Sequence, residues 1–249
     1  MIKSCYIDGC LYERDSFPEG LYVYQTMMTF GHQALYLGDY LDLLRRAAQE
    51  VLCRELSLVE RDVAALISDF LRRHNYPVEM PASVELRCYL SGAVVLLGGE
   101  VSPYPKLGLR LLMPTGLDVV YDLPISECHS SVRLAVSEAA RAVVESRGAR
   151  VAVRVDREGC VRSVDNAELF AVKEYTIVTP SVPTTVEGRL VAKAMAQAGM
   201  SLEVAPLVVP DLEEADEIFY ADHRGITALG AFNGHPLMHI LAEKIAAYL

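Results

Sequence analysis

Two hydrophobic rhythms succeed each other along this chain without alternating one for one. Strand-like runs with a period of two fill residues 1–36. Helical spacing, with apolar residues three and four apart, follows over 40–54 and 58–73. Paired strand patterns return over 83–98 and 108–123, and a helix is expected over 128–146. Strands occupy 150–164 and 168–180, a helix 186–198, strands 203–209 and 217–232, and a last helix 236–248. A parallel βαβ sheet needs a helix between successive strands. This order instead predicts an α+β fold.

Local signals place the turns and caps. Asp8-Gly9 sits between two short apolar runs, a hairpin signal. Turns are predicted near Gly31-His32, at Ser91-Gly92, at Pro114-Thr115-Gly116 and over Lys173-Glu174. Asp39 is placed to cap the first helix, and Ser57 with Glu60 has the capping-box spacing for the second. Gly199 follows a helical run as a C′ glycine should. Pro103 and Pro105 make 99–106 the expected connection between a smaller lobe, 1–106, and a larger one, 107–249.

Composition narrows the function classes. At 52% hydrophobic residues the chain has ample material for a core. Its net charge of −10, spread along the sequence, argues against nucleic acid or an anionic membrane as partner. No uncharged apolar run reaches the roughly 18 residues of a membrane span. The six cysteines form no C-x-x-C pair and no zinc spacing, which suits a reducing cytoplasm. The first residues lack a signal peptide's apolar stretch.

Several segments resemble the class IV aminotransferases, which use pyridoxal 5′-phosphate (PLP) and include branched-chain and D-amino-acid aminotransferases and aminodeoxychorismate lyase. QTMMTFGHQALYLGDYLDLL resembles the family stretch beginning E-T-[IV]-R. ELFAVKEYTIVTP is similar to N-[IL]-F-x-V-K-[DN]-G-x-[IL]-x-T-P. VEGRLVAKAMAQAGM stands where the family has G-I-T-R and a helix. EEADEIFYADHRGITALGAFNGHPL follows E-A-D-E-[IV]-F, a loop, [IV]-T-P-V and an x-G-x-P turn. These segments are collinear and cover most of the chain. The resemblance implies the two-lobed α+β fold of D-amino-acid aminotransferase-like PLP enzymes. It also implies a homodimer, with pockets formed between lobes and beside the dimer partner.

The positions that carry the family's chemistry differ. The segment 108–139 aligns without a gap to the family's strand and helix around the Schiff-base lysine, and puts Ile125 at that lysine. An aliphatic side chain has no amine with which to hold PLP or relay a proton. The carboxylate that pairs with the pyridinium nitrogen falls at Ser163, and the phosphate-binding arginine at Leu43, with Arg45 and Arg46 on other faces. The G-I-T that meets the phosphate becomes Thr185-Val186-Glu187. The following phosphate loop becomes Ala221-Asp222-His223-Arg224. Glu187 and Asp222 bring negative charge where a dianion is held, so no cofactor is expected.

Other residues are candidates for the same work. The chain has five lysines: Lys3, Lys106, Lys173, Lys193 and Lys244. All are expected at the surface, with Lys106 the one imaginable in a cleft. Cys128 beside His129 invites a nucleophile reading, but neighbours on a strand point apart. Cys128, His129 and Arg224 are candidate pocket-lining residues. Asp222 with His223 lacks a third metal ligand. His235 and His239, four apart on the expected last helix, read as a surface pair. Three functions stay open. One is a divergent homologue that has lost transamination and keeps a small-molecule pocket. The second is a true PLP aminotransferase or lyase. The third is unrelated chemistry by Cys128, His129, Asp222, His223 or Arg224.

Overall fold

Hairpins build the first sheet. Tyr22–Phe30 (β3) turns at Gly31 and His32, both with positive φ, into Gln33–Ala34 (β4). Ala82–Tyr89 (β5) and Val94–Val101 (β6) form a second hairpin around Gly92, whose φ of 96° suits glycine. Ser4–Tyr6 (β1) and Leu11–Tyr12 (β2) pair antiparallel at its edge, giving the order β2-β1-β6-β5-β3-β4. Two helices, Leu37–Ala47 (α1) and Glu60–Arg73 (α2), bury Leu41, Leu44, Ile67 and Leu71, and α1 packs on β3. This computed structural model describes residues 4–6, 11–12, 18–102, 108–110, 113–123 and 125–249. The Asp8-Gly9 turn, Lys3, Lys106 and the prolines at 103 and 105 lie outside them.

Two further sheets follow. Thr115–Val120 (β7), Val151–Val155 (β8) and Val161–Val164 (β9) join the short strands Ala231–Phe232 (β15) and His235–Pro236 (β16) in the order β16-β15-β7-β8-β9. Glu168–Lys173 (β10), Thr176–Thr179 (β11), Leu202–Val204 (β12), Glu217–Asp222 (β13) and Gly225–Ala228 (β14) make the order β12-β11-β10-β13-β14. Alternation then assigns the layers. Leu169 and Ala171 of β10 meet Val151, Val153 and Val155 of β8 in a core between the two sheets. Phe170 and Val172 face the other way, into a core with Val191 and Met195 of Val186–Gln197 (α4) and Ile245 of Ile240–Ala246 (α6). Ala152 lies under Ala140 and Val144 of Ser131–Glu145 (α3). Packing divides the chain into two compact units, Met1–Pro105 with Pro124–Leu134, and Lys106–Leu123 with Ala135–Leu249.

Several expectations need correction. Asp39 does not cap α1: the helix starts earlier, after Tyr36 in the left-handed region, and Asp39 lies in its first turn. The chain leaves α1 through a π-helical turn over Ala48–Leu52. Ser57 and Glu60 form no capping box, because extended Val59 is the residue before α2. Thr115 and Gly116 are not a turn; they bridge to Ala231 and Phe232 within the sheet. The strand tip lies at Glu174-Tyr175, one residue beyond Lys173-Glu174, with Lys173 still paired to Thr176. Helix α3 begins at Ser131 because the Ser130 hydroxyl accepts the Arg133 N–H at 3.2 Å. Part of the strand expected over 203–209 is a short helix, Val209–Glu213 (α5), started by Pro210. Asn233-Gly234, both at positive φ, close a β15–β16 hairpin, so the last helix starts only at Ile240. His235 and His239 therefore share no helix face.

Candidate functional site

The second unit gathers polar side chains at the ends of valine-rich strands. Val151–Val155 reads VAVRV, and its arginine lies on the α3 face of the sheet beside Ala152. Arg154 is buried, its Nε donates to the Ser163 hydroxyl at 3.3 Å, and its guanidinium stands 5.9 Å from the Tyr121 ring centre. Ser163 is equally buried and donates to the Asp165 carbonyl at 3.2 Å. The hydroxyl thus has an internal donor and an internal acceptor. Asp165 has a φ of 48°, and its carboxylate takes the Ala152 N–H at 3.3 Å and Arg141 at 2.8 Å. Burial holds its carboxyl above the usual range despite that arginine.

The hairpin β13–β14 adds its own charges. Arg224 folds back onto Asp222: its backbone N–H donates at 2.8 Å, and its guanidinium makes a bidentate contact with the carboxylate. Burial acts to raise the Asp222 carboxyl; the Arg224 contacts and His223 outweigh it and hold the carboxyl below the usual range. Burial raises the Tyr220 phenol, which also feels Asp222, Arg224 and Asp165. These four side chains therefore share one electrostatic neighbourhood. Arg110 reaches the same hairpin, donating to the Thr227 hydroxyl at 3.1 Å. Gly225 is required here, since a Cβ would lie 2.3 Å from the Gly108 carbonyl oxygen.

A third part is the start of α4. Thr185 caps the helix, its hydroxyl accepting the Gly188 N–H at 3.0 Å. Val186 and Glu187 form the first turn, both buried. The Glu168 carboxylate, from β10, sits on the same end. It accepts the backbone N–H groups of Thr184 at 2.5 Å and Thr185 at 3.1 Å, and the hydroxyls of Thr184 at 3.2 Å and Thr185 at 2.9 Å. Glu217 does the same for α6, taking the Leu241 and Ala242 N–H groups.

Ile125, Cys128, His129, Leu43 and Arg45 lie in the first unit. Ile125 is 57% exposed. The Cys128 thiol donates to Glu50 at 3.2 Å, beside Ser126, which reaches the same carboxylate oxygen at 2.9 Å. Burial, then Glu50, raises the Cys128 pKa against Ser126 and Arg133. His129 stacks on Tyr24, with ring centres 5.4 Å apart. Cysteine and histidine thus face different partners, and a thiol pushed upward is a poor nucleophile at neutral pH. Leu43 is half-buried, while Arg45 is held by Asp42 at 2.7 Å and the Leu58 carbonyl at 2.6 Å. The three described lysines, Lys173, Lys193 and Lys244, are all exposed. The hydrogen bond and charge of Glu214 raise the Lys173 pKa, the reverse of what an imine-forming amine needs. Among the described residues no three His, Cys, Asp or Glu side chains gather as a metal site, and no helix is long and apolar enough to cross a membrane.

Arg154, Arg110, Asp165 and Glu168 were not singled out in the sequence. Arg154 carried a signal, a charge between two valines of an otherwise apolar run. The other three depend on partners 13 to 117 residues away.

Comparison with solved structures identifies the architecture. A hypothetical aminotransferase from Mycobacterium tuberculosis, in its PLP-bound form, is similar over 100% of this chain and 98% of its own, with 15% identity and a TM-score of 0.80. A branched-chain aminotransferase from Thermoproteus uzoniensis is similar over 99% and 93%, with 17% identity and a TM-score of 0.82. A putative 4-amino-4-deoxychorismate lyase from Legionella pneumophila is similar over 90% and 88%, with 14% identity and a TM-score of 0.75. No protein-family model and no curated protein sequence matches the chain. The fold is that of the class IV aminotransferases, as the motifs implied.

Proposed function

We propose that this chain is a class IV aminotransferase-fold protein that has lost PLP-dependent transamination and keeps a rebuilt pocket for a small-molecule ligand. One observation carries the reading: buried Arg154 donates to Ser163, the position that the sequence resemblance gives to the pyridinium's carboxylate. PLP acts as an electron sink when its ring nitrogen stays protonated, and a carboxylate beside it favours that state. A guanidinium favours the opposite one. The Arg154–Ser163 pair therefore does not support the protonated ring nitrogen on which transamination relies. Further support comes from Ile125, which has no amine, and from the surface placement of the described lysines. Asp222 occupies Arg224, leaving that loop's cation committed to an internal pair. In place of PLP, Arg110 and the hydroxyls of Thr227 and Tyr220 suit a ligand rich in hydrogen-bond acceptors. A second copy of the chain is the expected partner, by analogy with the fold.

The absorption spectrum after incubation with PLP and gel filtration tests the reading. The expected result is no visible aldimine band and no stoichiometric cofactor. A stable visible band, abolished by borohydride and accompanied by amino-group transfer, would overturn it.

A further inference from the structure

The Glu168 carboxylate is placed where an outside anion would meet the start of α4. Helix N-termini attract negative charge through unsatisfied N–H groups and the macrodipole. Here two N–H groups and two hydroxyls already converge on one carboxylate. Gly188 is matched to it: a Cβ there would lie 1.5 Å from Glu168 Oε2. The carboxylate and the missing side chain thus occupy one space. The motif that ELFAVKEYTIVTP resembles has a neutral asparagine at position 168, so the charge is this chain's own. Glu187, buried in the helix's first turn, is a second carboxylate at the same end.

We propose that Glu168 is a built-in anion that fills the start of α4 and closes it to phosphate, so that the ligand of this protein is not anchored there by a phosphate group. The proposal rests on the loss of PLP chemistry argued above and names its cause at the phosphate end. A phosphate dianion approaching Thr184 and Thr185 meets committed donors and a like charge at contact distance, where Coulomb repulsion is large.

The test compares pyridoxal, pyridoxal 5′-phosphate and inorganic phosphate by calorimetry on the wild-type protein, Glu168→Ala and Glu168→Gln. Circular dichroism checks that each variant is folded, and Glu168→Gln keeps the side chain's size where Glu168→Ala fails to fold. Wild type is expected to bind both aldehydes only weakly and without preference for the phosphorylated one, and to give no saturable signal with phosphate. Removal of the charge is expected to favour pyridoxal 5′-phosphate over pyridoxal by about tenfold, a difference of about 1.4 kcal/mol. Folded variants with no such preference, or a wild type that already prefers the phosphate form, would overturn the proposal. The first of these results leaves the loss of transamination standing. A wild-type aldimine band with amino-group transfer defeats that reading separately.

Discussion

Asp222 and Arg224 illustrate how a single residue's ionisation is set by its neighbours two positions along the chain. The Asp222 carboxyl is held below the ordinary value, so its proton binds less readily in the folded state than in the unfolded one. Its contribution to stability is therefore complete above the unfolded carboxylate pKa of about 3.9 and is lost as pH falls through the lower folded value. Asp222→Asn is expected to lower the urea midpoint at neutral pH, with the gap to wild type closing under strong acid. A pH-independent gap in the denaturation series would show that the charge is not the cause. Sequence reading found Asp222, His223 and Arg224 because they are contiguous. It did not find Asp165 or Arg154, whose significance lies in burial and in partners on other strands.

Among the elements, α4 has specific hydrogen bonds at both ends. Thr185 caps one end while also donating to Glu168, and the Gly199 and Met200 N–H groups return to Ala196 and Met195 at the other. Gly199, at φ 72°, has open space around an added Cβ, so Gly199→Ala meets backbone strain alone, about 1 kcal/mol. Thr185→Ala loses a cap and a link to β10 and is expected to cost about 1–2 kcal/mol. Chemical denaturation of the two variants checks both the signs and the ranking. The glycine end was legible because its signal is local. The start at Val186 was legible as well; the link from Thr185 to Glu168 was not, because Glu168 lies 17 residues before it. The misplaced start of α6 has a different cause. An Asn-Gly hairpin signal stood directly before it, and the helical spacing of the residues that follow masked it.

At the scale of the whole molecule, the collinear motifs anticipated the architecture well. Phe170, Phe219, Ile226 and Thr227 are all fully buried in sheet positions. Such residues report on packing, so they announce a fold more clearly than a reaction. Restoring one chemical group to this fold is accordingly expected to fail: Ile125→Lys should give no transamination above wild type in a coupled assay, since Ser163 with Arg154, Leu43 and Glu168 remain. Substantial activity from that change alone would mean the remainder of the site is intact. The match between Glu168 and Gly188 also couples the two positions. A side chain at 188 would meet the Glu168 carboxylate and displace it from Thr184 and Thr185, so a helix start with a larger residue at 188 is one from which this anion has been moved. Residues 168 and 188 are therefore expected to vary as a pair.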